Sequence, residues 1–351
     1  MKSAKDPAQV SWQRIILIVL CVILALVLFV MLFATAYVHH LLGLVTGNEN
    51  SMNETISPED LATFSEAADP TFTGSSVGHE EVPQDTVPNT PVDNEDIINI
   101  LLIGEDRRPG QSRQRSDSMI LCSFNTKTNT LTMISFLRDT YISNIPGYWA
   151  EKLNAAYAFG GAKTLKQTLA QYFGVHVDAC AAVQFDGFKG IIDMLGGVDI
   201  ELTEKEANYM NKDCEKHQIP WRVTPGMNHL NGDQALAYSR IRKIDMDAKR
   251  AERQRKVLTA LINAYKNQPL TEMLTLTTDI LETGFLQTDM SSSEALNYVK
   301  TLFPMLATTT INSQQIPAAG TYKEMSVGKI TATKVCDLEA NRKILQQILG
   351  N

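Results

Sequence analysis

The chain has 351 residues, 44% of them apolar, with 32 Lys and Arg against 39 Asp and Glu and a formal charge of −7. General basicity is therefore absent, and no nucleic-acid partner is expected. Five cysteines without Cys-x-x-Cys spacing form neither a disulfide framework nor a cysteine-ligated zinc site, although Cys214 and Cys336 leave one pairing open.

Residues 1–14 form a short tail carrying Lys2, Lys5 and Arg14. Ile15 to Val38 follows with 24 uncharged, mostly apolar positions. A helix of that length reaches ~36 Å, enough to cross a bilayer core. No Lys or Arg occurs between Arg14 and Arg107, so the positive-inside bias puts the tail in the cytoplasm and the rest outside. The run is too long for a signal-peptide core, and an uncleaved single-pass anchor in the cell membrane is expected. Residues 39–94 turn polar and acidic, with few aromatics and no periodicity, and are expected to be a flexible stalk.

Beyond the stalk, Ile97 to Ile103 is an apolar run ending at Gly104, the pattern of a doubly buried strand. Ser118 to Phe124 and Thr130 to Phe136 read as a hairpin. Leu153 to Phe159 and Ala162 to Tyr172 have helical spacing, punctuated by Gly160-Gly161. Ala179 to Val183 is a strand, Phe185 to Leu195 a helix, and Val198 to Leu202 a strand. Thr203 to Asn228 is polar and reads as an insertion or lid. Gly232 to Ser239 and Asp247 to Lys266 are helices, as are Ser293 to Phe303 and Leu338 to Leu349 in the tail. The expected fold is α/β, a layered α-β-α domain around a central mixed sheet. Residues 95–270 would form the catalytic domain, with 271–351 completing or capping it.

Arginines beside carboxylates gather at three places: Asp106-Arg107-Arg108 with Arg115-Ser116-Asp117; Arg138-Asp139; and Arg240-Ile241-Arg242 with Asp247, Arg250, Arg253 and Gln254. Guanidinium forks beside a few acids suit a phosphate or pyrophosphate with a divalent cation. Asp106 follows the first strand and Arg138-Asp139 the third. Asp117 opens the antiparallel second strand, so the Asp106, Arg115–Asp117 and Arg138–Asp139 stretches meet at one sheet edge. On the helix from Asp247, the apolar stripe of Val257, Leu258, Leu261 and Tyr265 continues backward through Gln254 and Arg250. Those two therefore face the core at a helix N-terminus, where an anion is favoured. Surface ion pairs are the plain alternative, each worth little. Asp106 and Asp117, with no His or Cys nearby, suit Mg²⁺, with Mn²⁺ also open. No Gly-x-Ser-x-Gly elbow or P-loop is present.

The ordered motifs Gly104-x-Asp106-x-Arg108, Arg115-Ser116-Asp117-Ser118-Met119, Ser135-Phe136-Leu137-Arg138-Asp139-Thr140, Lys152-Leu153-Asn154-Ala155-Ala156-Tyr157, Leu195-Gly196-Gly197-Val198, Gly232 through Arg242, and Arg250-x-x-Arg253-Gln254 resemble the LytR–CpsA–Psr family over Ile97 to Ala264. That resemblance implies a membrane-anchored extracellular phosphotransferase. Such an enzyme moves a glycopolymer (teichoic acid or capsule polysaccharide) from a polyprenyl-pyrophosphate carrier to peptidoglycan as a phosphodiester. It implies Asp106 and Asp117 as Mg²⁺-associated acids, and Arg115, Arg138, Arg240, Arg242, Arg250 and Gln254 as the pyrophosphate set, with Arg108 an extra member. Asp117 or Asp139 would orient or deprotonate the acceptor hydroxyl. Two positions depart from the family's pattern: Phe136-Leu137 stands where Ile-Pro is usual, and Met246 where Gly often precedes Asp247. The alternatives are a polyprenyl-pyrophosphate hydrolase with water as acceptor, or a non-enzymatic envelope sensor of the lipid pyrophosphate.

Overall fold

The computed structural model describes His40, Gly43, Met52, Leu61 and residues 94–105, 113–245, 247–306 and 308–350. The expected span at Ile15–Val38, most of the expected stalk, and Asp106, Arg107 and Arg108 lie outside the described residues. Among the described residues no helix is long and apolar enough to cross a membrane. Residues 1–44 and 45–351 form separate compact units, and the fold below is that of the second.

β1 (Ile97–Glu105), β2 (Ser116–Asn125) and β3 (Thr130–Phe136) form an antiparallel meander. β6 (Ala179–Gln184) lies parallel to β1, and β10 (Thr310–Ile316) parallel to β3. With β9 (Leu286–Thr288) the sheet is mixed, in the order β10-β3-β2-β1-β6-β9. Both edge strands come from the tail. Because β1, β3, β6 and β10 run the same way, their carboxyl ends share one edge with the start of β2.

Helices cover both faces. On one, α1 (Ala155–Phe173) and α8 (Leu338–Leu349) bury Leu165, Leu169, Leu345 and Leu349 against Leu101, Leu121 and Ile134. On the other, α5 (Asp247–Lys266) and α7 (Ser292–Leu306) pack Leu258, Ile262 and Leu302 onto Ile120, Cys122 and Met133. The expected three layers are therefore present. A satellite core joins α2 (Phe185–Met194), β7 (Val198–Leu202), β8 (Gly226–Leu230) and α4 (Gly232–Ser239) around Ile192, Ile200 and Tyr238. The remaining pieces are the short pair β4 (Tyr141–Ile142) with β5 (Glu151–Lys152), helix α6 (Leu270–Glu282), and the hairpin β11 (Tyr322–Val327) with β12 (Ile330–Cys336).

Three readings are corrected. Thr203 to Asn228 is not a lid: most of it is α3 (Glu204–His217), opened by a capping box between Thr203 and Glu206. Its apolar stripe, Ala207, Met210 and Cys214, is buried. Cys214 and Cys336 do not form the disulfide that their sequence left open. Finally, the segment read as stalk contributes to the core. Met52 is 0% exposed, and its carbonyl accepts from the Ala162 amide at 3.1 Å. The cause is the break in α1, where Gly161 takes φ +67° and a Cβ would stand 2.1 Å from the Met52 carbonyl oxygen. Only glycine lets the upstream chain come this close.

Candidate functional site at the strand carboxyl ends

The described site residues sit at the shared sheet edge, on α5, or in the turn that follows α4. β1 and β2 lose register between Gly104 and Glu105, where Ser116 and Ser118 pair with consecutive residues of β1. The bulge leaves Asp117 without a partner residue and turns it, with Ser118, onto one cleft wall. Phe136 and Leu137 are buried, and Phe136 packs on Phe173 at 5.3 Å between ring centroids. The turn they anchor, Arg138-Asp139-Thr140, is held by backbone bonds on both sides. Leu137 N–H donates to Ile316 O at 2.7 Å, Lys334 N–H to Asp139 O at 2.8 Å, and Asn154 N–H to Arg138 O at 3.2 Å. The tail thus fixes the turn that carries two site residues.

Arg138 Nη1 donates to Asp117 Oδ1 at 2.6 Å, and its Nε lies 3.5 Å from Asp139 Oδ2. Burial lowers the Arg138 pKa, but Asp139, Asp117 and Asp247 together outweigh it and hold the group above its ordinary value. Arg242 Nη2 reaches the same Asp117 oxygen at 3.5 Å. Lys152 Nζ takes the other oxygen of Asp139 at 3.3 Å. Arg250, at the N-terminal end of α5, is 4% exposed and pairs with Asp247 at 2.8 Å. Among the described residues its Nε and Nη1 are buried without a partner, as is Asp247 Oδ2. Burial brings Arg250 down to about 10, Asp247 opposes this, and Arg138 and Arg242 add to it.

Asp117, Arg240, Arg242, Arg250 and Gln254, with Ser118 and Ser239, form the polar part of a cleft of about 140 Å³. Its apolar wall is Leu102, Ile120, Val183, Phe185, Phe188, Leu236 and Leu258. Among the described residues Arg240 has no acid partner; its guanidinium lies over the Phe185 ring, 4.6 Å from the centroid. Around the mouth, five cations (Arg138, Lys152, Arg240, Arg242, Arg250) face three carboxylates (Asp117, Asp139, Asp247). Among the described residues this leaves a surplus of two positive charges in an acidic protein. A larger depression of about 430 Å³ at the opposite end of the sheet is lined by Thr, Asn, Ser and Gln with one Ile and no ionisable group. It offers nothing to an anion.

The structure therefore brings together Asp117, Arg138, Asp139, Arg240, Arg242, Arg250 and Gln254. Arg115 turns elsewhere: it pairs with Glu151 at 3.1 Å and does not line the cleft. Arg253 lies buried inside the fold, held by Glu206 at 2.7 Å, by Asp245 and by Ile241 O at 3.1 Å. Lys152 and Phe185 were missed; Lys152 stood in a quoted motif, but its spacing from Arg138 gave no sign that they meet. Arg255 was also missed. It is buried with Nη1 on Ser135 Oγ at 2.7 Å, and burial lowers its pKa.

Metal fit turns on Asp117. Its Oδ1 serves two arginines, while Oδ2 takes no hydrogen bond among the described residues. Mg²⁺ commonly uses one or two carboxylates and completes its shell with phosphate and water. The donor set therefore fits a hard cation, although no group of three or more His, Cys, Asp or Glu is clustered among the described residues.

The site is thus a cluster of arginines and carboxylates at the sheet edge that opens into an apolar cleft. The chain belongs to the LytR_cpsA_psr family, whose family model matches residues 64–344. It is 36% identical over 178 residues to the polyisoprenyl-teichoic acid–peptidoglycan teichoic acid transferase TagU of Bacillus mycoides, covering 50% of this chain and 55% of the relative. The enzyme of the same name from Bacillus licheniformis is 38% identical over 178 residues, with the same coverage. The chain thus spans about half the length of these curated relatives. Among solved structures, TagT of B. subtilis superposes with a TM-score of 0.58 at 27% identity, over 73% of this chain and 92% of that one. TagT with bound octaprenyl pyrophosphate lipid gives 0.55 at 26% identity and the same coverage.

Proposed function

We propose that the protein is a membrane-anchored phosphotransferase. It would take a glycopolymer from a polyprenyl-pyrophosphate carrier and join it to peptidoglycan through a phosphodiester. The observation that carries this reading is the junction of two chemistries in one cleft. Arg250, whose Nε and Nη1 are buried without a partner among the described residues, lines a mouth with two surplus positive charges, and an apolar wall continues inward. A pyrophosphate diester carries two negative charges, and a prenyl chain needs an apolar wall. The names of the relatives, and the octaprenyl pyrophosphate bound to TagT, support the same substrate class.

On this reading Arg240, Arg242 and Arg250, with Gln254, clamp the pyrophosphate, and Arg138 completes the clamp from behind Asp117. Forked guanidinium donors match phosphate oxygens and oppose the charge that builds as the leaving phosphate departs. A peptidoglycan sugar hydroxyl attacks the phosphorus next to the polymer. The new O–P bond forms as the bridging P–O bond breaks, and the lipid monophosphate leaves with that bond's electron pair. Mg²⁺, held by Asp117 Oδ2 and, from the sequence, Asp106, would neutralise phosphate charge as phosphoryl transfer requires. With Asp117 so used, Asp139, braced by Arg138 and Lys152, orients the hydroxyl and takes its proton.

The anchor at Ile15–Val38 would keep this chemistry at the outer membrane surface, beside the lipid-linked donor. Purified full-length chain in detergent, given a lipid-linked teichoic acid and peptidoglycan, should yield polymer-linked peptidoglycan and lipid monophosphate. Release of free phosphorylated polymer at the same rate with or without peptidoglycan would make it a hydrolase. Binding without turnover would leave the sensor reading.

A further inference from the structure

The arginines of the mouth are held in two different ways. Arg138, Arg242 and Arg250 each lean on a carboxylate, so part of their charge is compensated before a ligand arrives. Arg240 has no acidic neighbour within pairing distance among the described residues. Its fixed contact is the face of Phe185, which is too weakly negative to cancel a charge but stiff enough to orient a planar group. Phe185 is itself well seated. It opens α2 directly after β6, and that helix is pressed against Phe285, where a Cβ on Gly187 would meet Phe285 O at 2.9 Å and one on Gly190 would meet the ring at 2.3 Å. Arg240 in turn closes α4, with its amide bonded back to Leu236 O at 3.1 Å. Both side chains line the cleft where its apolar wall meets its charged mouth.

We infer that Phe185 is a positioning residue for Arg240. It holds the guanidinium flat at the seam between pyrophosphate and prenyl chain, so that the full charge and the edge donors of Arg240 face the pyrophosphate. The ring thereby has two roles, wall for the first prenyl carbons and platform for the cation. This rests on the pyrophosphate reading above and adds a residue to it that carries no charge.

The two roles separate by ligand. Inorganic pyrophosphate touches only the platform function, whereas geranylgeranyl pyrophosphate uses both. In the full chain, Phe185→Leu keeps an apolar wall and removes the ring, and Phe185→Tyr keeps the ring. A stacked cation at a partly exposed site is worth roughly a 2- to 30-fold change in an equilibrium. Phe185→Leu should therefore weaken inorganic pyrophosphate by a factor in that range, Phe185→Tyr by less than about twofold, and Phe185→Leu should do nothing further in an Arg240→Ala background. Equal losses in both backgrounds, or weakening of geranylgeranyl pyrophosphate alone, would overturn the inference and leave Phe185 as wall only. Failure of the unmodified chain to bind either ligand would instead overturn the pyrophosphate reading, and this inference with it.

Discussion

Replacing Arg250 with Met tests whether the cleft is built for an anion or for stability. Arg250 is 4% exposed and burial brings its pKa down from the ordinary arginine value to about 10. At ~1.4 kcal/mol per tenfold change, that depression represents on the order of 3 kcal/mol of folding stability given up. The sign is that of a base with a lowered folded pKa: the loss is complete at every pH below about 10 and is relieved only as pH rises from there toward the unfolded value. Methionine removes this loss and two unpartnered donors, but strands Asp247, whose Oδ2 already lacks a partner. A stranded polar group costs ~1–3 kcal/mol. The net change should fall within about 2 kcal/mol of zero, well short of the ~3–5 kcal/mol for breaking a structural buried pair. Thermal melts with and without inorganic pyrophosphate read this directly. The unmodified chain should gain ~2.7 kcal/mol at a hundred times its dissociation constant, and Arg250→Met should gain almost nothing. A large drop in Tm for the variant, together with no pyrophosphate effect on the unmodified chain, would show that Arg250 serves the fold.

Arg138→Ala should abolish transfer with little change in Tm, and Arg138→Lys should restore little, because a point charge cannot hold Asp117 and Asp139 in one fork. Full activity in either variant would remove Arg138 from the site. Asp117→Asn should eliminate both turnover and its Mg²⁺ dependence; turnover of the unmodified chain in excess EDTA would rule out the cation. His229, which bridges Asp199 at 2.8 Å and Gly196 O at 2.7 Å, has a raised pKa from those same partners. Its hold on the Gly196-Gly197 turn is complete below the unfolded pKa and fades as pH rises through the folded one. Amide exchange at that turn should therefore quicken with pH beyond the intrinsic rate, and Asp199→Asn should remove the excess. Met52→Ala should cost ~2–5 kcal/mol as a core truncation. A chain shortened to begin at Ile97 should melt lower still, having lost Leu61 as well; melting unchanged would mean Met52 does not hold the core. External protease on intact cells should cut between Gly47 and Asn94, and protection there would invert the topology.

The parts of the fold legible in the sequence are those where local chemistry and tertiary packing agree. The first three strands are apolar enough to be buried on both faces, and their antiparallel order follows from the short Thr126–Asn129 turn. The direction of Arg250 and Gln254 followed from the stripe through Val257 and Leu258, because a helix has one period and the apolar side fixes its phase. What stayed hidden was long-range or weakly patterned. β10 reads Thr-Ile-Asn-Ser-Gln-Gln-Ile, too polar to announce a strand, and becomes one by pairing with β3 some 180 residues upstream. α3 was passed over because its charged residues mask a three-residue stripe, although the Thr203 to Glu206 capping box was in plain view. Met52 carried no signal, since what recruits it is a gap opened by Gly160-Gly161 more than a hundred residues later.

The same distinction separates the arginines of α5. Periodicity turns Arg250, Arg253 and Arg255 inward to different degrees but says nothing of what awaits them. Arg253 meets two carboxylates and a carbonyl, which nearly exhausts its donors. Arg250 lines the cleft, meets one carboxylate and leaves two buried donors without a partner among the described residues. Buried charge is stabilised only by completed partners, so a guanidinium left incomplete at the mouth of a cleft is a loss to the unliganded protein that a ligand can reverse. Arg253 has no such loss to recover. Its neutral replacement should therefore unfold the satellite core, whereas that of Arg250 should leave the protein folded and unable to bind.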